Sequence, residues 1–137
     1  MNGTERIATL LTYLSTIQAH LAKHRGLAGP FYIEARPDAH GANVVVQLDG
    51  YHRLSAVAGG LLTWADSLTD VTAEMWRPKS GDTVHLSITG VAGGMSVMAY
   101  DAATFDPAAF GDIAAGERRS VSLGQLRAWA IGAGVAA

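Results

Sequence analysis

Five histidines and no cysteine limit the chemistry open to this chain. Without thiols there is no disulfide scaffold, thiol nucleophile, Cys-ligated zinc or iron–sulfur cluster. His20 and His24 stand four positions apart, and two imidazoles at that helical spacing can share a metal. Zinc needs at least one more ligand, such as His85 or an aspartate, and no HExxH pattern supplies it. Solvated histidines on the polar flank of a helix explain the pair equally well, and His24 suits a helix C-terminus. No metal or other cofactor is expected. Glu34, Glu74 and His85 form a second grouping that can act as acid and base if one sheet face unites them. A minor hydrolase or metal site on Glu74 and His85 is therefore one reading of function. Asp101, Asp106 and Asp112 are too irregular for a calcium loop. Asp106, just before Pro107, suits the cap of a helical turn. Arg118 and Arg119 can pair with an acidic partner or with these aspartates, but an exposed pair of arginines is read as solvated. There is no GxSxG elbow and no P-loop, and Gly132-Ala133-Gly134 has too little chain behind it to cradle a phosphate. Catalysis is not the expected role.

Recognition asks for different residues. If the aliphatic members of the alternating segments face inward, the opposite sheet face displays Tyr32, Glu34, Arg36, Val45, Gln47, Glu74, Trp76, His85, Ser87, Met98 and Tyr100. Aromatic rings give contact area at low entropic cost and flanking charges fix orientation, which is the composition of a binding patch. Cross-strand stabilisation of an ordinary exposed face uses the same residue types. A stripe of small residues, Ala56, Gly59, Gly60 and Thr63, admits the close approach of another backbone. That backbone is either an equivalent helix across a two-fold axis or another segment of the same chain.

These residues need elements to hold them. Ile7, Leu10, Leu11, Leu14, Ile17 and Leu21 recur at helical spacing, which predicts a helix over 3–24. Asn2 and Glu5 have capping-box spacing, and Gly26 can close the far end. Segments 31–36 and 43–49 read as a hairpin around Pro37-Asp38-Ala39-His40-Gly41. A second helix over 51–68 carries the stripe Leu54, Val57, Ala58, Leu61, Leu62, Ala65 and Leu68. Three strands follow at 71–77, 83–89 and 95–101, with turns at 79–82 and 90–94. Residues 102–120 show no period, apart from a turn pinned by Phe105 and Phe110, and read as a long loop. Ser122 and Gln125 open a last helix with a capping box, and the run from Gly132 to Ala137 should fray.

The fold expected is α+β: one five-stranded antiparallel sheet with three helices, in the order α-β-β-α-β-β-β-α, as one domain over residues 1–137. That order resembles the roadblock and profilin-like group of small partner-binding domains. The resemblance rests on element order and implies no site residue.

Composition narrows the setting. Hydrophobic residues make up 49% and charged residues 16%, the latter below the roughly one quarter usual in soluble domains. Weakly charged surface favours a partner or self-association, here a homodimer. A net charge of −2 with no basic stripe argues against nucleic acid and anionic membranes. The first twenty residues alternate on a helical period and lack the unbroken apolar stretch of a signal peptide, so the cytoplasm is the expected compartment. The leading expectation is a non-enzymatic interaction module that binds a protein partner through the aromatic sheet face. A small-molecule pocket between the sheet, the first helix and the 102–120 loop is the alternative.

Overall fold

The computed structural model describes residues 1–38 and 40–132. Ala39, in the expected first hairpin turn, and Ala133–Ala137, most of the expected frayed tail, lie outside the described residues. The element order is α1 (Gly3–Lys23), β1 (Tyr32–Ala35), β2 (Val44–Gln47), α2 (Leu54–Ser67), β3 (Thr69–Trp76), β4 (Thr83–Ala92), β5 (Met95–Thr104), α3 (Pro107–Phe110), β6 (Arg118–Val121) and α4 (Leu123–Ala130).

The α+β class stands, but the sheet differs from the expected one. It has six strands in the order β1-β2-β5-β4-β3-β6, and β2 pairs with β5 in parallel while the other neighbours are antiparallel. The reason is connectivity. Helix α2 carries the chain from β2 to the far side of the sheet, and the meander β3-β4-β5 walks back until β5 lies beside β2. Alternation of apolar and polar residues marks a strand but says nothing of its direction.

The segment expected to be an unstructured loop contains the remaining differences. Strand β5 continues to Thr104, and α3 follows at once. Asp106 caps α3 by accepting from the Ala108 N–H at 3.0 Å, and Pro107 occupies the first turn, as its spacing predicts. Strand β6 then pairs with β3 as a short, polar edge, a common way of blunting a sheet margin. Arg119 is held by Glu117 and by Asp112 (3.1 Å), so one of the two arginines does pair with an aspartate.

Strands β4 and β5 run on to Ala92 and from Met95, leaving a two-residue turn. Gly93 and Gly94 both have positive φ (56° and 76°), the conformation of a two-residue hairpin that matches strand twist. Gly90 lies within β4 rather than in the turn. A Cβ there would sit 2.7 Å from the Leu68 Cβ, so glycine lets the end of α2 cross the strand.

All four helices bury side chains in one cluster with the aliphatic face of the sheet. Val84, Leu86 and Ile88 of β4, Val97 and Ala99 of β5, and Val44 and Val46 of β2 meet Val57, Leu61 and Trp64 of α2, Ile17 of α1, Phe110 of α3, and Leu126 and Trp129 of α4. The expected α2 stripe faces the core, with Leu54 and Leu62 partly buried and the addition of Trp64, whose indole N–H donates to the Ala28 carbonyl at 3.0 Å. On α1 the capping box forms as expected, with Asn2 and Glu5 bonding each other's backbone N–H groups. The α1 stripe, however, divides between core and surface, with Leu21 packed against the core and Leu10 half-buried. Ile17 is buried, but Ile7, Leu11 and Leu14 are 62%, 60% and 49% exposed. The helix turns the arc around Ile17 and His20 inward instead.

Candidate functional site

The register decides which candidate residues meet. Along the side of the sheet turned from the helices, one row runs Glu34, Val45, Met98, Thr89, Thr72. The next runs Tyr32, Gln47, Tyr100, Ser87, Glu74, Ser120. A third runs Ala102, His85, Trp76, Arg118. The residues read as outward therefore share one face, and Tyr32 is 49% exposed.

The face is built from paired groups. The Trp76 and His85 rings lie 5.3 Å apart, and the Arg118 guanidinium stands 4.5 Å from the centre of the Trp76 ring. Arg118 also donates to Glu74 at 3.0 Å, which holds the cation over the indole. At the other end Arg36 donates to Glu34 at 3.2 Å. The Tyr100 hydroxyl donates to Gln47 at 3.2 Å. Val45, although on this face, is only 3% exposed.

Two hollows adjoin here. One of about 320 Å³ is lined by Val45, Trp76, Met98 and Tyr100, with Arg36 and Arg118 among its polar members. The second, about 200 Å³, is lined by Phe31, Asp49, His52 and Asp101 among others. His85 and Tyr100 line both, so the two hollows are neighbours on this face. Burial lowers the His85 pKa and favours the neutral ring, a shift that Asp101 opposes and that Arg118 and His52 reinforce. Asp101 is 7% exposed and accepts from the Gly50 and Ala102 N–H groups, both at 2.8 Å. Burial nevertheless raises its pKa.

The sequence carries no site signal for His52, Asp49 or Phe31, and Arg118 reads there as solvated. The Asp49-Gly50 pair after an apolar strand was the one available signal of a turn. Tyr51 and His52 both have positive φ (55° and 61°), a conformation uncommon in residues with a Cβ, so no periodic pattern places them.

Glu34 does not join the acid–base grouping, whereas Glu74 and His85 sit diagonally on the adjacent strands β3 and β4. Glu34 on β1 lies four strand spacings from Glu74 on β3, about 19 Å, and Glu74 is engaged by Arg118. The histidine pair is also different from the polar flank expected. His20 is 8% exposed, its Nε2 lies 2.8 Å from the Ser67 hydroxyl, and its ring packs on His24 at 4.4 Å and Trp64 at 6.0 Å. The Ser67 hydroxyl donates to the Trp64 carbonyl at 2.7 Å. The third ligand considered, His85, is on the opposite side of the sheet, and the described residues contain no cluster of three metal-ligating side chains. Burial lowers the His20 pKa, and the charges of His24 and Lys23 lower it further.

The small-residue stripe of α2 divides. Thr63 accepts from the Ala28 N–H at 2.9 Å, and a Cβ at Gly60 would touch Ala28 and Leu48 at 3.4 Å. These two seat another segment of the same chain. Ala56 is exposed and the Cβ direction of Gly59 is open. Helix α1 and the 102–120 segment line separate hollows, one beside the β4–β5 turn and one beside α4. No helix among the described residues is long and apolar enough to cross a membrane. No known family model, curated protein or solved structure matches the chain.

Proposed function

We propose that the chain is a non-catalytic binding module that receives a segment of a partner protein on the helix-free face of its sheet. The observation that carries this reading is the cleft itself. Trp76, Met98, Tyr100 and His85 lie side by side without a covering helix, in a hollow of about 320 Å³, with a second of about 200 Å³ sharing His85 and Tyr100 as walls. Aromatic residues and methionine in a concave, half-buried setting are the groups that dominate binding energy at protein interfaces. Arg36 and Arg118 are already matched by Glu34 and Glu74. The cleft therefore suits a segment led by apolar or aromatic side chains rather than a strongly charged one. Phe31, which lines the smaller hollow, and Tyr32, in the strand row of Gln47 and Tyr100, are both exposed and supply a rim. We place the interaction in the cytoplasm.

The test is capture from the native host. A photo-reactive side chain at Met98 should cross-link a discrete partner, and the same label at exposed Asp66 on α2 should not. Trp76→Ala combined with Tyr100→Ala should abolish the product at unchanged expression. An identical cross-link pattern from both label positions would count against the sheet face.

A further inference from the structure

We infer that α1 is a self-association surface, on which a second copy of the chain lays its own α1 antiparallel. This goes beyond the sheet-face reading and does not depend on it. The sixteen residues from Ile7 to Ala22 contain no Asp, Glu, Lys or Arg. Exposed helix faces are normally rich in such residues. Here the outward arc of a 21-residue helix instead carries Ile7, Leu11 and Leu14, all largely exposed, beside exposed Ala8, Ser15 and Gln18. Core packing does not explain the three large side chains, because the buried arc of the helix is that of Ile17 and His20. Depletion of charge with retention of large aliphatic groups marks the core of an interface rather than free surface.

The same features select the occupant. A foreign partner usually gains specificity from charges set against those of its target, and this face offers none. A second α1 brings an equally long, equally uncharged face, so no ion is desolvated. Antiparallel pairing also sets each helix dipole against its opposite. The stripe is close to palindromic about its centre. With the two-fold axis between Leu10 and Leu11, Ile7 faces Leu14 of the second chain, and Leu11 lies beside its own copy across the axis. Ala8 and Ser15, on the flank, permit a helix separation of about 8–10 Å. The helix is about 31 Å long, so the interface lies at the small end of the range, and the dimer is expected in the micromolar regime of transient contacts.

The absence of cysteine provides a clean readout. At about 100 μM, where an interface of this size is populated, sedimentation should give roughly twice the 14.3 kDa chain mass. Leu14→Glu should weaken association at least tenfold and return the monomer with an unchanged far-UV spectrum. Independently, Leu11→Cys should form a disulfide-linked dimer on mild oxidation, and Ser80→Cys, in an exposed turn, should not. Three results would each overturn the inference. One is a monomeric wild type. Another is a dimer that survives Leu14→Glu and leaves position 11 uncross-linked. The last is a monomer that instead sediments with phosphatidylcholine–phosphatidylglycerol vesicles, which would assign the face to lipid.

Discussion

Replacing Trp76 by alanine separates a binding surface from a second core. The indole makes two specific contacts, with the Arg118 guanidinium at 4.5 Å and the His85 ring at 5.3 Å. A partly exposed cation–π contact contributes about 0.5–1 kcal/mol, and an aromatic pair about 0.5–1.5 kcal/mol. No hydrogen bond to the Trp76 indole is lost. Trp76 is also partly buried, and the apolar area it returns to water adds about 1–2 kcal/mol, so Trp76→Ala should cost about 2–3 kcal/mol, part of the roughly 5–15 kcal/mol of a typical domain. Trp64 is the internal standard. It is fully buried, and its indole N–H bonds the Ala28 carbonyl. Trp64→Ala should cost about 3–5 kcal/mol from the cavity alone, with a further penalty of about 1 kcal/mol or more for the stranded carbonyl. Urea unfolding followed by far-UV circular dichroism gives both values on one scale. Equal losses from the two substitutions would show Trp76 to be structural, and the argument for an accessible aromatic cleft would fail.

Two glycines should respond in opposite directions to the same added methyl. Gly59→Ala meets nothing within 4 Å and should stabilise α2 by about 0.5–1 kcal/mol. Gly90→Ala would put a Cβ 2.7 Å from Leu68 and 3.0 Å from the Thr69 carbonyl, at a cost of about 1–3 kcal/mol; thermal melts of both variants decide it. Acid should also destabilise the fold through its histidines. His20 and His85 titrate below the ordinary 6.5 because burial disfavours their charged forms, so the unfolded chain binds more protons. Stability therefore falls as pH drops from about 6.5 through the lower folded values. Asp101, whose pKa is raised, acts with the opposite sign, and only in the more acidic range where carboxylates titrate. His20→Gln should flatten the slope between pH 7 and pH 5 in urea titrations, and an unchanged slope would remove His20 from the account.

Much of the architecture was readable along the chain because it depends on neighbours in sequence. The caps at Asn2, Asp106 and Ser122 are local hydrogen bonds over two or three residues, and residue types at that spacing specify them. The buried stripe of α2 and the alternation in β4 follow from helical and strand periods. The same alternation put Trp76, His85, Met98 and Tyr100 on one face, because side-chain direction in a strand flips at every residue.

What the order of residues left open depends on pairs far apart in the chain. The parallel joining of β2 to β5, the edge strand β6, and the distance between Glu34 and Glu74 are properties of strand order, which alternation does not encode. The apolar stripe of α1 shows the same limit from the other side. Periodicity reveals that a helix has an apolar face, but only the packing of α1 against the sheet and α2 determines whether that face is buried. Here His20, tied to Ser67 and stacked on Trp64, goes inside while Leu11 and Leu14 stay out. A helix settles on the face whose shape and hydrogen bonds fit its neighbours, and those neighbours exist only once the chain has folded.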